Sequence, residues 1–240
     1  MPKGSRGGGG GGAAVAPAPA PAPVPAPVFS DTDSAGYHQL YNGRGYYAKQ
    51  DIDAAQQAAI DTYLDATAIP GTMYSPSQTL NYKLRQGIPL TASEQQMYKD
   101  LNSSMHNLGY NLTLTRYDRV DYLTSTLGIT TNPNRLTTRS LQSLIGKTVT
   151  DDAFISTSYN DFAKAPVGNC FTDKTVRLNI KAPAKTQAVM PGVGPGGDFG
   201  EIVLGPGQSY RITGARVNRK TTRSGATYYN NQIEIDVEII

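Results

Sequence analysis

Four short stretches of the sequence contain residue types that could carry out chemistry, and they occur in a fixed order. They are a Leu-Arg pair ending at Arg85, a strand-like segment ending at Arg116, the Ser-Thr-Ser at 156–158, and an apolar run preceded by Glu201. A guanidinium can hold a phosphate through two parallel charge-assisted hydrogen bonds. A carboxylate can stabilise the positive charge that grows on a sugar carbon as a glycosidic bond breaks. Each stretch alone is a common pattern, so the prediction rests on their order and context.

Taken together, these stretches resemble the ADP-ribosyltransferases built on an Arg, a Ser-Thr-Ser and a Glu. That group includes the enzymatic components of clostridial binary toxins and the Rho-modifying exoenzymes. The resemblance covers roughly residues 45 to 240. It implies that NAD is a substrate, that its nicotinamide–ribose bond is cleaved, and that ADP-ribose passes to a macromolecular acceptor, expected to be a host protein. A nucleic-acid acceptor stays open, and neither a metal nor a membrane is expected to take part.

The resemblance assigns the catalytic roles to Arg116, Ser156 and Glu201. Arg116 would bind the NAD phosphates, Ser156 would hold the carboxylate in place, and Glu201 would bond the ribose 2′-hydroxyl and favour the developing cation. Arg119 is the competitor of Arg116, which is preferred because side chains alternate along a strand. The alternative for Glu201 is a solvated residue at the start of a strand.

Further residues would bind NAD by the same resemblance. Phe171 would pack on the nicotinamide, unless it is an ordinary core aromatic. Lys174 would meet a phosphate where the binary toxins often have Arg, and a weaker grip is expected because lysine lacks the planar fork. Asn81 and Arg85 would cover the adenosine side, although Arg85 could instead meet the carbonyls at the end of its own helix. The expected cofactor-binding set is Asn81, Arg85, Arg116, Thr157, Ser158, Phe171 and Lys174.

The glycine-rich loop before Glu201 is expected to contact the acceptor. In the family, the residue two positions before the catalytic Glu is commonly Glu or Gln, and here it is Phe199 with Asp198 beside it. A shift of one residue in the alignment would give Asp198 the acceptor-activating role. Without such a carboxylate, NAD hydrolysis gains weight. A glycohydrolase, and a non-enzymatic phage or effector binding module, therefore stay open as alternatives.

The elements that must position these residues follow a simple order, with helical patterns first and strand patterns afterwards. Helices are predicted at about 51–67, from Ser77 to a Gly87 cap, from a Thr91/Glu94 capping box to about Leu108, and from Thr138 to Ile145. Strands are predicted at about 111–116, 153–158, 175–182, 201–204, 209–217 and 232–239. In the last strand isoleucine and valine alternate with polar residues, so one buried and one solvated face are expected.

This order predicts an α+β fold. We expect an N-terminal helical layer packed on a mixed, mostly antiparallel two-sheet core of the ADP-ribosyltransferase type, with NAD in the cleft between the layers. Residues 1–30 contain a glycine run and alternating Ala and Pro, a composition that cannot bury apolar surface. They are predicted to form a disordered tether, followed by a single domain at 31–240.

Composition gives no support to several other classes of protein, although it leaves binding to a polyanion open. A net charge of +3 with 17% charged residues is too mild to indicate nucleic-acid binding. No apolar run approaches the roughly 20 residues of a membrane span. With 2 His and 1 Cys, the chain has too few ligands for a zinc site and too few partners for a Cys/His pair. A small domain with a low-complexity leader suggests a secreted bacterial effector or a phage protein that acts in the cytoplasm of a host or target cell.

Overall fold

The computed structural model describes most of the predicted domain. The described residues are 52–108, 111–118, 126–129, 135–158, 176–191, 201–220 and 230–240. The predicted tether and the predicted site residues Phe171, Lys174, Asp198 and Phe199 lie outside them, as does Arg119. Among the described residues, no helix has the length and apolar character needed to cross a membrane.

Three helices form the N-terminal layer. They are α1 (Ala54–Leu64), α2 (Pro76–Gln86) and α3 (Ala92–Ser103). Each begins with a capping box, in which the N-cap residue and the residue three positions later bond each other's backbone N–H through their side chains. The box predicted at Thr91 and Glu94 is one of them. Gly87 ends α2 in the left-handed conformation with φ of 62°, as predicted.

Nine strands form one mixed sheet in the described part of the chain. They are β1 (His106–Asn107), β2 (Leu112–Asp118), β3 (Thr148–Asp151), β4 (Ile155–Ser158), β5 (Val176–Ala182), β6 (Gln187–Val189), β7 (Glu201–Leu204), β8 (Gln208–Lys220) and β9 (Asn230–Ile239). Their order across the sheet is β1-β6-β7-β4-β2-β5-β9-β8-β3. β5 and β9 pair in parallel, and the other neighbouring pairs are antiparallel. Between β2 and β3, a short helix α4 (Thr138–Leu141) continues into a 3₁₀ turn (Gln142–Leu144). The predicted α+β class is confirmed.

The expectation of two sheets is corrected, because the two halves of the sheet are joined in the described residues. β2 connects them. It pairs with β5 from Leu112 to Asp118 on one side, and with β4 at the single pair Thr115–Ser158 on the other. The halves are therefore parts of one continuous sheet that meet at a narrow seam.

The end of α3 also corrects the sequence prediction, which extended this helix to about Leu108. The helix ends at Ser103. The buried hydroxyl of Ser104 donates a hydrogen bond of 2.7 Å to the carbonyl of Leu101, so the last turn closes on itself. The chain then enters the sheet as β1, which pairs with β6. This strand pairing is a long-range contact that helical periodicity cannot indicate.

Two apolar clusters hold the layers together. The larger cluster packs the core face of the strands with the α4 region. The smaller cluster joins the helical layer to β6, to β7 and to Phe154, which directly precedes β4. Its buried members are Ala59, Ile60, Tyr63, Leu80, Leu101, Met105, Phe154, Val189 and Val203. The helices therefore pack directly over the two strands that carry the Ser-Thr-Ser segment and Glu201.

The outer face of β9 is less solvated than its alternating pattern predicts. The apolar face is buried as expected, but Glu234 on the other face is only 5% exposed. Its carboxylate forms ion pairs with Arg216 and, at 3.8 Å, with Arg177. β9 lies between β8 and β5, so each neighbour supplies an arginine. The prediction of a solvated face is therefore wrong at Glu234, whereas Asp236 and Glu238 on the same face are 33% and 40% exposed.

Candidate active site

Arg116 lies at the seam between the two halves of the sheet. Its Nη1 donates to the Ser156 carbonyl oxygen at 3.0 Å, while Nε and Nη2 donate to one carboxylate oxygen of Asp118 at 2.9 and 2.7 Å. The guanidinium therefore connects β2 to β4 close to the single backbone pair that joins these strands.

Ser156 and Glu201 lie on neighbouring antiparallel strands. Glu201 pairs with Ser158 and Val203 pairs with Ser156, so all these side chains project from the same face of the sheet. Burial raises the pKa of Glu201 above its ordinary value, and a hydrogen bond from the Ser156 side chain and the charge of Arg116 both act against that rise in pKa. The three residues predicted to be catalytic are thus brought together, on β2, β4 and β7.

The other two residues of the Ser-Thr-Ser segment are placed differently. The Thr157 hydroxyl donates to the carbonyl oxygen of Ile202 at 2.7 Å, and the side chain is buried. It therefore ties β4 to β7 on the face opposite Ser156. Ser158 is 3% exposed at the seam. Their predicted contacts with NAD stay predictions.

Both residues predicted on α2 have partners within the protein. Arg85 forms a bidentate ion pair with Asp151, with Nε and Nη2 at 2.9 and 3.0 Å from the two carboxylate oxygens. In the structure, Arg85 therefore pairs with Asp151 and not with the carbonyls at the end of its own helix. Asn81 donates to the Tyr63 phenol oxygen at 2.9 Å and accepts from the Phe154 N–H at 3.1 Å.

Tyr63 is a residue of this site that the sequence did not indicate. It is 2% exposed, and its phenol donates to the Phe154 carbonyl oxygen at 3.4 Å. Burial raises the pKa of Tyr63; Asn81, Ser156 and the charge of Arg116 lower it, and the charge of Glu201 raises it further. In the sequence, Tyr63 follows Ala59 and Ile60 at helical spacing, which indicates only an apolar helix face, and no local pattern marks its hydroxyl as functional.

Metal ligands do not gather in the described ranges. No group of three or more His, Cys, Asp or Glu side chains there could hold a metal ion. The chemistry of the site as described is that of a guanidinium, a hydroxyl and a partly buried carboxylate.

Comparison with known proteins identifies the family of the chain. The model of the ADP-ribosyltransferase exoenzyme family matches residues 42–239. The chain belongs to this family of ADP-ribosyltransferases. Comparison with curated proteins gives no significant match.

Solved structures share the fold at low sequence identity. Plx2a, an ADP-ribosyltransferase toxin from Paenibacillus larvae, is 14% identical with a TM-score of 0.60, over 85% of this chain and 96% of Plx2a. C3stau2 from S. aureus, solved with NAD, is 15% identical with a TM-score of 0.64, over 90% of this chain and 99% of C3stau2. BECa, an ADP-ribosylating toxin of a C. perfringens binary enterotoxin, was solved with NADH. It is 15% identical with a TM-score of 0.67, over 87% of this chain, which spans only 48% of BECa.

Proposed function

We propose that the chain is a mono-ADP-ribosyltransferase that cleaves the nicotinamide–ribose bond of NAD and transfers ADP-ribose to a macromolecular acceptor. The observation that carries this proposal is the grouping of Arg116, Ser156 and Glu201 on the adjacent strands β2, β4 and β7, where the Arg116 guanidinium bonds the Ser156 carbonyl and its charge acts to lower the pKa of Glu201. Membership of the family supplies the reaction class, and two proteins of the same fold were solved with NAD or NADH.

Glu201 would act on the charge of the transition state. As the bond from the ribose carbon to nicotinamide breaks, its electron pair leaves with the pyridinium ring, which becomes neutral, and positive charge develops on the ribose. A carboxylate at the 2′-hydroxyl stabilises that charge, and more so in a site partly removed from water. The acceptor's nucleophilic atom then forms the new bond to the ribose carbon and loses its proton.

Arg116 and Ser156 would prepare the site for that step. Ser156 would orient the carboxylate through its hydrogen bond. Arg116 would hold the NAD phosphates with the guanidinium that also donates to the Ser156 carbonyl. Phe171 and Lys174, which lie outside the described residues, keep their proposed roles on the nicotinamide and a phosphate.

The test is turnover of labelled NAD by the native protein and by Glu201→Ala, in the presence of bacterial or eukaryotic lysate. Glu201→Ala should lower nicotinamide release by on the order of 100-fold or more and leave NAD binding, measured by calorimetry, largely intact. Glu238→Ala is the matched control, because that carboxylate is 40% exposed on β9 and pairs with Arg211. Near-native turnover by Glu201→Ala would refute the assignment.

An NAD glycohydrolase is the second candidate, and the observation that favours it is Phe199 at the position where the family commonly has Glu or Gln. The same assay separates the two functions. Label on discrete macromolecules indicates a transferase, whereas free ADP-ribose with every lysate indicates a hydrolase. Absence of both NAD binding and turnover would instead favour the non-enzymatic binding module.

For the acceptor, we propose a protein of a host or target cell, with a nucleic acid as the alternative that the labelled product would reveal. Plx2a and BECa are described as toxins, which supports delivery as a secreted effector into the cytoplasm of that cell. Delivery with a phage virion has no support in these comparisons.

A further inference from the structure

Phe154 directly precedes β4, and side chains of the helical layer bond both of its backbone polar groups. Its N–H donates to the Asn81 side-chain oxygen at 3.1 Å, and its carbonyl accepts from the Tyr63 phenol at 3.4 Å. Asn81 also donates to the phenol oxygen at 2.9 Å, which closes a ring of three hydrogen bonds. We call Tyr63 and Asn81 the Phe154 clasp.

The clasp is enclosed by aromatic packing. The Phe154 ring is fully buried, with its centroid 5.7 Å from the Tyr63 ring and 5.6 Å from the Tyr98 ring. The register between β4 and β7 begins one residue later, at Ile155. The backbone of Phe154 is therefore fixed at the start of β4 by side chains of α1 and α2, and a buried backbone group without such a partner would be costly.

Fixing Phe154 also fixes the strand that carries Ser156. Side chains alternate along a strand, so Phe154 and Ser156 project from the same face, towards the helical layer. There the Ser156 hydroxyl lies close enough to the Tyr63 phenol and the Glu201 carboxylate to lower the pKa of both. A serine has one proton, and a carboxylate can only accept. When Ser156 donates to Glu201, its oxygen can accept from the Tyr63 phenol, whose single proton is then shared with the Phe154 carbonyl.

We propose that Tyr63 and Asn81 are positioning residues that hold Ser156, and through Ser156 the carboxylate of Glu201, in the geometry for NAD cleavage. The inference rests on the proposed function and adds two residues of the helical layer to it. Asn81 donates into the phenol oxygen, so the single phenol proton is left to donate to the Phe154 carbonyl, with the Ser156 oxygen as a second acceptor that shares it. Burial raises the pKa of Tyr63, which keeps that proton in place.

This role differs from the one that the sequence resemblance gave to Asn81. A residue that contacts the adenosine side of NAD should change the KM for NAD when it is removed. Both polar atoms of the Asn81 amide are instead bonded inside the protein. The clasp therefore predicts that removal of Asn81 lowers kcat and leaves the KM for NAD within about twofold, since only transition-state interactions are lost.

The experiment uses the full chain with Tyr63→Phe and Asn81→Ala, and Tyr98→Phe as the matched control. Tyr63→Phe keeps the ring packing and removes one hydroxyl. Tyr98→Phe makes the same change in the other tyrosine that packs on Phe154. Both clasp variants should lower kcat about tenfold or more, because small displacements of reacting groups can cost on the order of 100-fold. Tyr98→Phe should keep native kcat. Equal loss in all three variants, or a rise in KM without a fall in kcat, would overturn the proposal.

Carboxyl NMR of the Glu201 side chain gives a readout that needs no turnover. Its resonance is identified by its absence in Glu201→Gln. The groups that act on the Glu201 carboxylate are Ser156 on β4, Arg116 on β2 and Tyr63 on α1. The titration midpoint of Glu201 should move to higher pH in Tyr63→Phe, because a displaced Ser156 hydroxyl stabilises the carboxylate less. An unchanged midpoint overturns the clasp even in an active enzyme. If Tyr63→Phe shifts the Glu201 midpoint but the native protein does not turn over NAD, the result supports the clasp and rejects the proposed function.

Discussion

Arg85→Ala should destabilise the domain strongly, although Arg85 lies in the last turn of α2. The substitution leaves the Asp151 carboxylate, which is 1% exposed, without its bidentate partner. Removing one member of a buried pair typically costs about 3–5 kcal/mol. The Arg85 side chain is 25% exposed, and Asp151 keeps a hydrogen bond from the Ala153 N–H at 3.0 Å. We therefore expect about 2–4 kcal/mol of lost stability.

Urea unfolding at constant pH measures this loss directly, and a thermal midpoint about 5–15 °C lower should accompany it in a domain of this size. Arg85→Lys should recover about half of the loss, because it restores the charge without the planar fork. Arg85→Ala combined with Asp151→Asn should be more stable than Arg85→Ala alone, because no unpaired charge is then buried. A loss below about 0.5 kcal/mol for Arg85→Ala, the range of ordinary surface substitutions, would refute the reasoning.

Two further predictions concern packing and charge. Gly214→Ala should lower the free energy of unfolding by about 1–3 kcal/mol, because an added Cβ would lie 2.6 Å from a carboxylate oxygen of Asp236. Gly205→Ala is the control and should lower it less in the same unfolding assay, because the nearest atoms to its added Cβ are 3.5 Å away. Glu201→Gln should stabilise the domain above pH 4.5, the ordinary pKa of a glutamate. Because the pKa of Glu201 is raised in the folded state, the native protein loses stability as the pH rises from 4.5 through that raised pKa, and the uncharged glutamine avoids this loss. Thermal midpoints from pH 4 to 8 check this, and equal midpoints for Glu201→Gln and native protein throughout would contradict the raised pKa.

Local features of the fold were predictable from the sequence because their signals are local. The capping box at Thr91 and Glu94 and the Gly87 cap each depend on residues within one helical turn. Six of the nine described strands followed from their apolar patterns, with boundaries within a few positions, whereas the short strands β1, β3 and β6 were not predicted. The order of helices before strands was sufficient for the α+β class.

The partners of the site residues were not predictable, because they come from distant parts of the chain. Arg85 meets Asp151, 66 positions away, and Asn81 contacts Phe154, 73 positions away. Periodicity in the sequence does not indicate such pairs, so the sequence analysis could name only NAD or the carbonyls of its own helix as partners of Arg85. The same cause explains Glu234, whose burial depends on arginines that β5 and β8 bring to it.

The seam between β2 and β4 makes the sheet mechanically uneven. One backbone pair, Thr115–Ser158, joins these strands in the described residues, whereas β2 and β5 pair along their whole length. This line therefore has the fewest backbone pairs between neighbouring strands in the described part of the sheet. Arg116 adds a side-chain hydrogen bond across it, to the Ser156 carbonyl. An NAD phosphate held by Arg116, in the proposed role, would thus contact a side chain that also joins the two halves of the sheet.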